Sequence, residues 1–212
     1  RAIRNTCPEN LVLSHDLLEG CYARSGVVSN VVLYEQYPDS YLSDVARRFR
    51  WVRGDWQLLN WLRLQVRQED CSRQKNPLSA LSRWKLTDNL RRSLVAPALL
   101  MLVFMLCTIV PNPIFWVGCI MLFLLLPGLP ALVIDGVTKS KTRAWRQHLS
   151  MLVTDAFNRL SRAGLALAIL PHESYWSLKA IIVTLWRLTI SHRYLNEWKS
   201  ASSQKPVEPD VR

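Results

Sequence analysis

Two long apolar runs, residues 94–110 and 114–134, interrupt a chain that is otherwise dense in charge. They hold about 17 and about 21 residues, and a helix needs roughly 20 to cross a bilayer. Neither run contains a charged residue, and only Pro111-Asn112-Pro113 separates them. The pattern predicts a two-helix transmembrane hairpin over 93–135.

On either side the periodicity changes. Leu11, Val12 and Leu13 predict a short strand. A helix over 17–24 follows, capped by Ser14 or Asp16, with Asp16 and Glu19 at the positive end of its dipole. Val27, Val28 and the run Val31, Val32, Leu33, Tyr34 predict a second strand. Residues 37–40 read as a turn. Over 41–70 the spacing predicts one helix, with Trp51, Leu58, Leu62 and Val66 on a stripe and Arg47, Arg48, Arg50, Arg53, Arg63 and Arg67 around it. Such a segment either lies in the lipid headgroup layer or packs on its own domain. Residues 71–82 read as a polar linker.

Beyond the hairpin, Leu149, Leu152, Val153, Ala156, Phe157 and Leu160 recur at helical spacing, and Pro171 is expected to stop that helix. Leu178, Ile181, Ile182, Leu185 and Leu188 predict another helix within 174–198. Lys179 and Arg187 would each cost about 2.5–3.5 kcal/mol at a bilayer centre, so this helix is expected at the interface, not across it. The polar tail 200–212, with two prolines, reads as disordered.

Charge adds an orientation. Arg83, Lys85, Arg91 and Arg92 precede the hairpin, Lys139, Lys141, Arg143 and Arg146 follow it, and the turn carries no charge. The positive-inside bias places both soluble arms in the cytoplasm and the turn outside. A net charge of +11 beside an inserted hairpin points to a lipid bilayer or a phosphate-bearing substrate, and no nucleic acid is expected. Mean hydropathy is only +0.05, so the chain is not a pure bundle of spans. The five cysteines show no CxxC spacing, which argues against zinc, and their odd number argues against a secreted disulfide scaffold. The chain starts at Arg1 without a signal peptide, and a fragment of a longer protein is expected.

Three elements could carry chemistry. Ser14-His15-Asp16 follows the first strand, and a carboxylate there could act as a base, although a helix cap is the plainer role. Glu35 follows the second strand. The third is Arg47-Arg48-Phe49-Arg50-Trp51, where guanidinium groups could neutralise a diphosphate leaving group and an indole could stack on a sugar ring. His15 reads as capping or packing.

The order of these elements resembles the processive family-2-type glycosyltransferases, the group that includes cellulose synthase. Asp16 falls where their acceptor base stands in a motif ending in Asp, and Arg50-Trp51 match the last two letters of a QxxRW motif. The stretches LSHDLLEGCYAR, RFRWVRGDWQLLNWL, NPLSALSRWKLTDNLRRSLVAPALL and LWRLTISHRYLNEW, spread over 13–198, resemble the membrane region of the cyclic β-1,2-glucan synthases. Arg47 stands where the motif has Gln, and Ser-His-Asp replaces Thr-Glu-Asp.

The resemblance implies a mainly α membrane protein in which a partial GT-A-like α/β segment (1–45) and amphipathic interfacial helices flank the hairpin. An Arg/Trp-rich interfacial helix and linker would occupy 46–92, and membrane-associated helices 136–199. It implies that Asp16 deprotonates a glucan acceptor, which attacks UDP-glucose with inversion. Arg47, Arg48 and Arg50 would lie near the departing UDP, and Trp51 would hold the acceptor. It further implies a multi-pass protein of the bacterial inner membrane and a divalent metal, Mg or Mn, in the full enzyme. No DxD-like pair precedes Asp16, so the metal's ligands and the donor half are expected elsewhere and the chain is expected to be inactive alone. The alternative is a catalytically inactive membrane-anchored remnant or interaction module.

Overall fold

Apolar residues at helical spacing dominate this chain, and helices dominate its structure. The computed structural model describes residues 16–23, 26, 28–34, 37–67, 73–138 and 144–197. The predicted first strand and the polar tail lie outside the described residues. The helices are α1 (Asp16–Ala23), α2 (Tyr41–Gln57), α3 (Ala80–Thr108), α4 (Pro113–Leu125), α5 (Leu129–Val137) and α6 (Trp145–Trp186). A two-stranded antiparallel sheet joins β1 (Gln65–Arg67) to β2 (Arg73–Lys75), with Val66 opposite Gln74.

Several sequence expectations are corrected. The helix expected over 41–70 ends at Gln57, passes through a 3-10 turn (Leu58–Leu62) and gives way to β1. Asn76 decides this. Its side-chain amide donates to the Trp61 and Arg63 carbonyls at 2.6 and 2.8 Å, and its side-chain oxygen accepts from the Leu78 N–H at 2.9 Å. Its backbone N–H donates to the Leu64 carbonyl at 2.8 Å. These bonds close the chain back on itself, so the presumed linker becomes half of a hairpin. The expected strand over 31–34 does not form: these residues are exposed and join no ladder among the described residues.

Two compact units result. The first comprises the described residues up to Val95 and those from Tyr175 onward. Its core gathers Leu18 of α1, Leu58 and Trp61 of the 3-10 turn, Val66, Leu78 and Leu86 of α3, with Leu17, Cys21, Tyr22 and Leu62 packed against it. Burying a Leu or Val side chain contributes about 1.5–3 kcal/mol, so this cluster fastens α1 and the hairpin onto the start of α3.

The second unit runs from Ala96 to Ser174. Two apolar helices of the chain are long enough to cross a membrane: α3, 29 residues, which begins in the first unit, and the Pro113–Val137 segment, 25 residues. At 1.5 Å per residue both exceed the ~30 Å hydrocarbon core. The link between them passes through Asn112 at a φ of 60°, a left-handed conformation that Asn tolerates better than most residues. α3 begins fourteen residues before the apolar run, so its charged leader and the run are one helix.

Pro171 does not stop its helix: α6 runs 42 residues straight through it. The proline removes one backbone N–H, but Ala163, Leu170 and Ser174 around it are buried, and Ser174 donates its hydroxyl to the Leu170 carbonyl at 2.7 Å. Packing on that face outweighs the lost bond. The predicted apolar stripe is turned partly outward, with Leu149, Val153, Phe157 and Leu160 exposed, while His148 is buried. From α6, Arg159 pairs with Asp155 at 2.7 Å and donates to the Gly128 carbonyl at 3.1 Å. Gly128 allows this approach, because a Cβ there would collide with the guanidinium.

Candidate functional site

α2 carries the arginine and tryptophan cluster, and its start is specified locally. Ser40 caps the helix, its hydroxyl accepting from the Ser43 N–H at 3.2 Å. Asp44 in the first turn suits the positive end of the helix dipole. It also lies three and four residues before two arginines. Its carboxylate pairs with Arg47 at 2.8 Å and with Arg48 at 2.8 Å, so one anion offsets two guanidinium charges.

Arg47 does more than carry charge. Its guanidinium lies 4.8 Å from the Trp51 ring centroid and 5.1 Å from that of Tyr37. A planar cation at these distances attracts both aromatic faces. Trp51 is 47% exposed and Tyr37 74%. The result is an aromatic and guanidinium surface open to solvent. Trp51 therefore leaves the apolar stripe that sequence spacing assigned to it, while Leu58 and Val66 of that stripe are buried.

The opposite side of α2 is buried. Phe49 packs edge-on against Trp176, centroids 5.6 Å apart. Arg53 and Gln57 follow at successive turns and are buried. Burial and the neighbouring Arg187 lower the Arg53 pKa, and Glu197 partly opposes them.

Two further bonds tie α2 to α3. Trp56 Nε1 donates to Ser93 Oγ at 2.9 Å, and Asn89 Nδ2 donates to Asp55 Oδ1 at 3.0 Å. Burial raises the Asp55 pKa, with Asn89 and Arg92 opposing the rise. Ser93 immediately precedes the apolar run at Leu94. The aromatic helix is thus fastened to the residue where α3 turns from charged to apolar.

Asp16 is exposed in the first turn of α1, with Glu19 beside it. α1 is held by the fully buried Leu18, which belongs to the cluster containing Leu58 and Trp61 just after α2. Arg50 is half-buried within α2. The structure therefore gathers Arg47, Arg48 and Trp51 around Asp44 and Tyr37, and fastens the helix that carries Asp16 to the same unit. Sequence reasoning missed Asp44, although its spacing to Arg47 and Arg48 was a readable signal. It missed Tyr37 because a loop residue has no periodicity to betray its direction.

Among the described residues no group of three His, Cys, Asp or Glu side chains could hold a metal ion. They do not fit a divalent metal site.

No family model matches the chain. It is 34% identical over 203 residues to the cyclic beta-(1,2)-glucan synthase NdvB of Rhizobium meliloti (strain 1021). The match covers 95% of this chain and 7% of that protein. The chain spans about 7% of the length of the curated relative it matches, and is a distant homologue of that part.

Proposed function

We propose that this chain is a membrane-embedded portion of a glucan synthase and supplies the acceptor side of its glycosyl-transfer site. One observation carries the reading: an exposed Trp51–Arg47–Tyr37 surface on a helix tied to Ser93, at the threshold of an apolar helix long enough to span. Aromatic faces suit the apolar side of a pyranose ring, and a helix fixed at the membrane surface suits a polymer handled there. The distant homology to a cyclic β-1,2-glucan synthase supports the same substrate class.

In this reading α3 and the 113–137 segment cross the inner membrane of a bacterium, and the basic arms stay in the cytoplasm. The exposed apolar face of α6 meets the hydrocarbon boundary. Asp16 takes the proton from an acceptor glucose hydroxyl. That oxygen forms a bond to the anomeric carbon of UDP-glucose as the bond to UDP breaks, with inversion. The electron pair leaves with UDP, and Arg50 with Arg47 and Arg48 offsets its charge. Asp44 already neutralises part of the Arg47–Arg48 charge. In this reading the donor pocket and any divalent metal belong to parts of a longer protein outside these residues.

The second reading is a non-catalytic membrane module. The pairing of Asp44 with two of the three arginines favours it, since a phosphate would have to compete with a carboxylate already in place.

The test uses the full-length synthase in membranes supplied with radiolabelled UDP-glucose. Replacing Asp16 with Asn should lower glucan incorporation by about a hundredfold or more, the usual contribution of a positioned base. Equal incorporation by wild type and variant would remove Asp16 from the reaction and leave the module reading.

A further inference from the structure

We propose that Arg53 is a positioning residue for the Trp51 face of α2, and that residues 192–197 form the strap through which it acts. The inference rests on the reading of that face as an acceptor surface, but its structural half stands on geometry alone.

Arg53 is only 7% exposed. Its Nη1 donates to the Glu197 carbonyl at 2.9 Å, and its Nη2 to the Leu195 and Tyr194 carbonyls at 3.2 and 3.4 Å. One turn further along α2, Gln57 is 1% exposed and donates to the same Leu195 carbonyl at 2.8 Å. From the other side Arg187 donates to the Tyr194 carbonyl at 2.5 Å and pairs with the Glu197 carboxylate at 3.2 Å. Three of the strap's carbonyls, those of Tyr194, Leu195 and Glu197, therefore accept from side chains, and that of Tyr194 also accepts from the Glu197 N–H at 3.4 Å.

The strap is also strained. α6 ends in a π-helical turn (Arg187–Ser191), and then His192 and Tyr194 adopt φ values of 48° and 59°. A left-handed conformation at two residues that are not glycine costs energy and persists only where surrounding contacts impose it. At Tyr194, Arg53 and Arg187 supply such contacts, and Gln57 holds the next residue, Leu195. A planar guanidinium offers five N–H donors in a fixed fork and can serve three carbonyls at once, which a lysine ammonium cannot match at this spread.

Phe49, Arg53 and Gln57 share one face of α2, at i, i+4 and i+8, and that face meets Trp176 and the strap. Trp51 stands on the far side, because two residues turn a helix by about 200°. Gripping one face sets the rotation of α2 and so the direction in which Trp51 and Arg47 point. Arg53 never needs to touch a substrate to do this.

Hydrogen exchange of the 212-residue chain in nanodiscs tests the strap. Arg53→Gln should speed amide exchange of residues 192–197 and 45–52 by about tenfold, Arg53→Lys should fall between it and wild type, and Glu197→Gln should change α2 little. If Arg53→Gln does not fold, a chain ending at Ser191 removes the carbonyls and keeps the arginine, and it should show the same loosening of 45–52. Wild-type exchange of 45–52 in the variant that folds overturns the proposal. In the full-length synthase, Arg53→Gln should raise KM for an oligoglucoside acceptor several-fold and leave KM for UDP-glucose unchanged. Loosening of α2 without any change in acceptor KM overturns the positioning role. A wild-type protein without transferase activity would instead remove the acceptor reading, and the exchange result would still decide whether Arg53 holds α2.

Discussion

Trp51 and Trp56 lie on the same helix, five residues apart, and differ only in what surrounds them. Trp56 uses its indole N–H on Ser93, whereas Trp51 keeps its face open beside Arg47. Replacing Trp56 with Phe should cost about 1 kcal/mol plus lost packing, read as a lower denaturant midpoint in detergent, because Ser93 still donates to the Leu90 carbonyl. Asp55 makes a pH prediction. Its folded-state pKa lies above its ordinary value of 3.8, first because burial disfavours the charge. A raised carboxylate pKa means that the folded state holds the proton more tightly than the unfolded state. Its stabilising contribution is full below the ordinary value and is lost as pH rises through the raised one. Asp55→Asn should remove that loss, so the variant's melting temperature should fall less than wild type's between pH 4 and neutrality. An identical pH slope in both proteins would show that Asp55 does not titrate as described.

Elements here end where side chains intervene, not where periodicity fades. The helix expected to reach residue 70 was cut short by Asn76, which lies beyond it in sequence and bonds back to Trp61 and Arg63. Asn76→Ala should cost about 2–3 kcal/mol, the net value of its side-chain bonds at roughly 1 kcal/mol each, seen as a drop in unfolding free energy. Pro171 is the converse, a local breaker overruled by the buried face of α6. Pro171→Ala restores a backbone donor and should raise the melting temperature in detergent; a fall would mean that the proline's geometry is required there. The exposed run 31–34, rich in β-branched and aromatic residues, resembles an unpaired edge strand. Val32→Lys should reduce aggregation of the isolated chain in light scattering without shifting its melting temperature.

For the whole molecule the decisive pattern is the contrast between a unit organised by hydrogen-bonded arginines and the two long, largely exposed apolar helices. If the latter lie in lipid, carbonate washing should leave the chain in the membrane fraction. A reporter placed after Asn112 should face outward, and one after Lys141 inward. Labelling of both from the cytoplasmic side would refute the crossing. The two long apolar helices and the arginine–tryptophan cluster were legible in the chain, because a long uncharged run excludes water and like charges recur visibly at fixed spacing. The rotation of α2, the capture of Arg53 by residues 141–144 positions away, the exposure of Trp51 and the continuity of α6 were not legible. Periodicity reports which residues share a face, but not which face finds a partner. That choice falls to packing and hydrogen bonds between segments far apart in sequence, and it exists only once the chain has closed on itself.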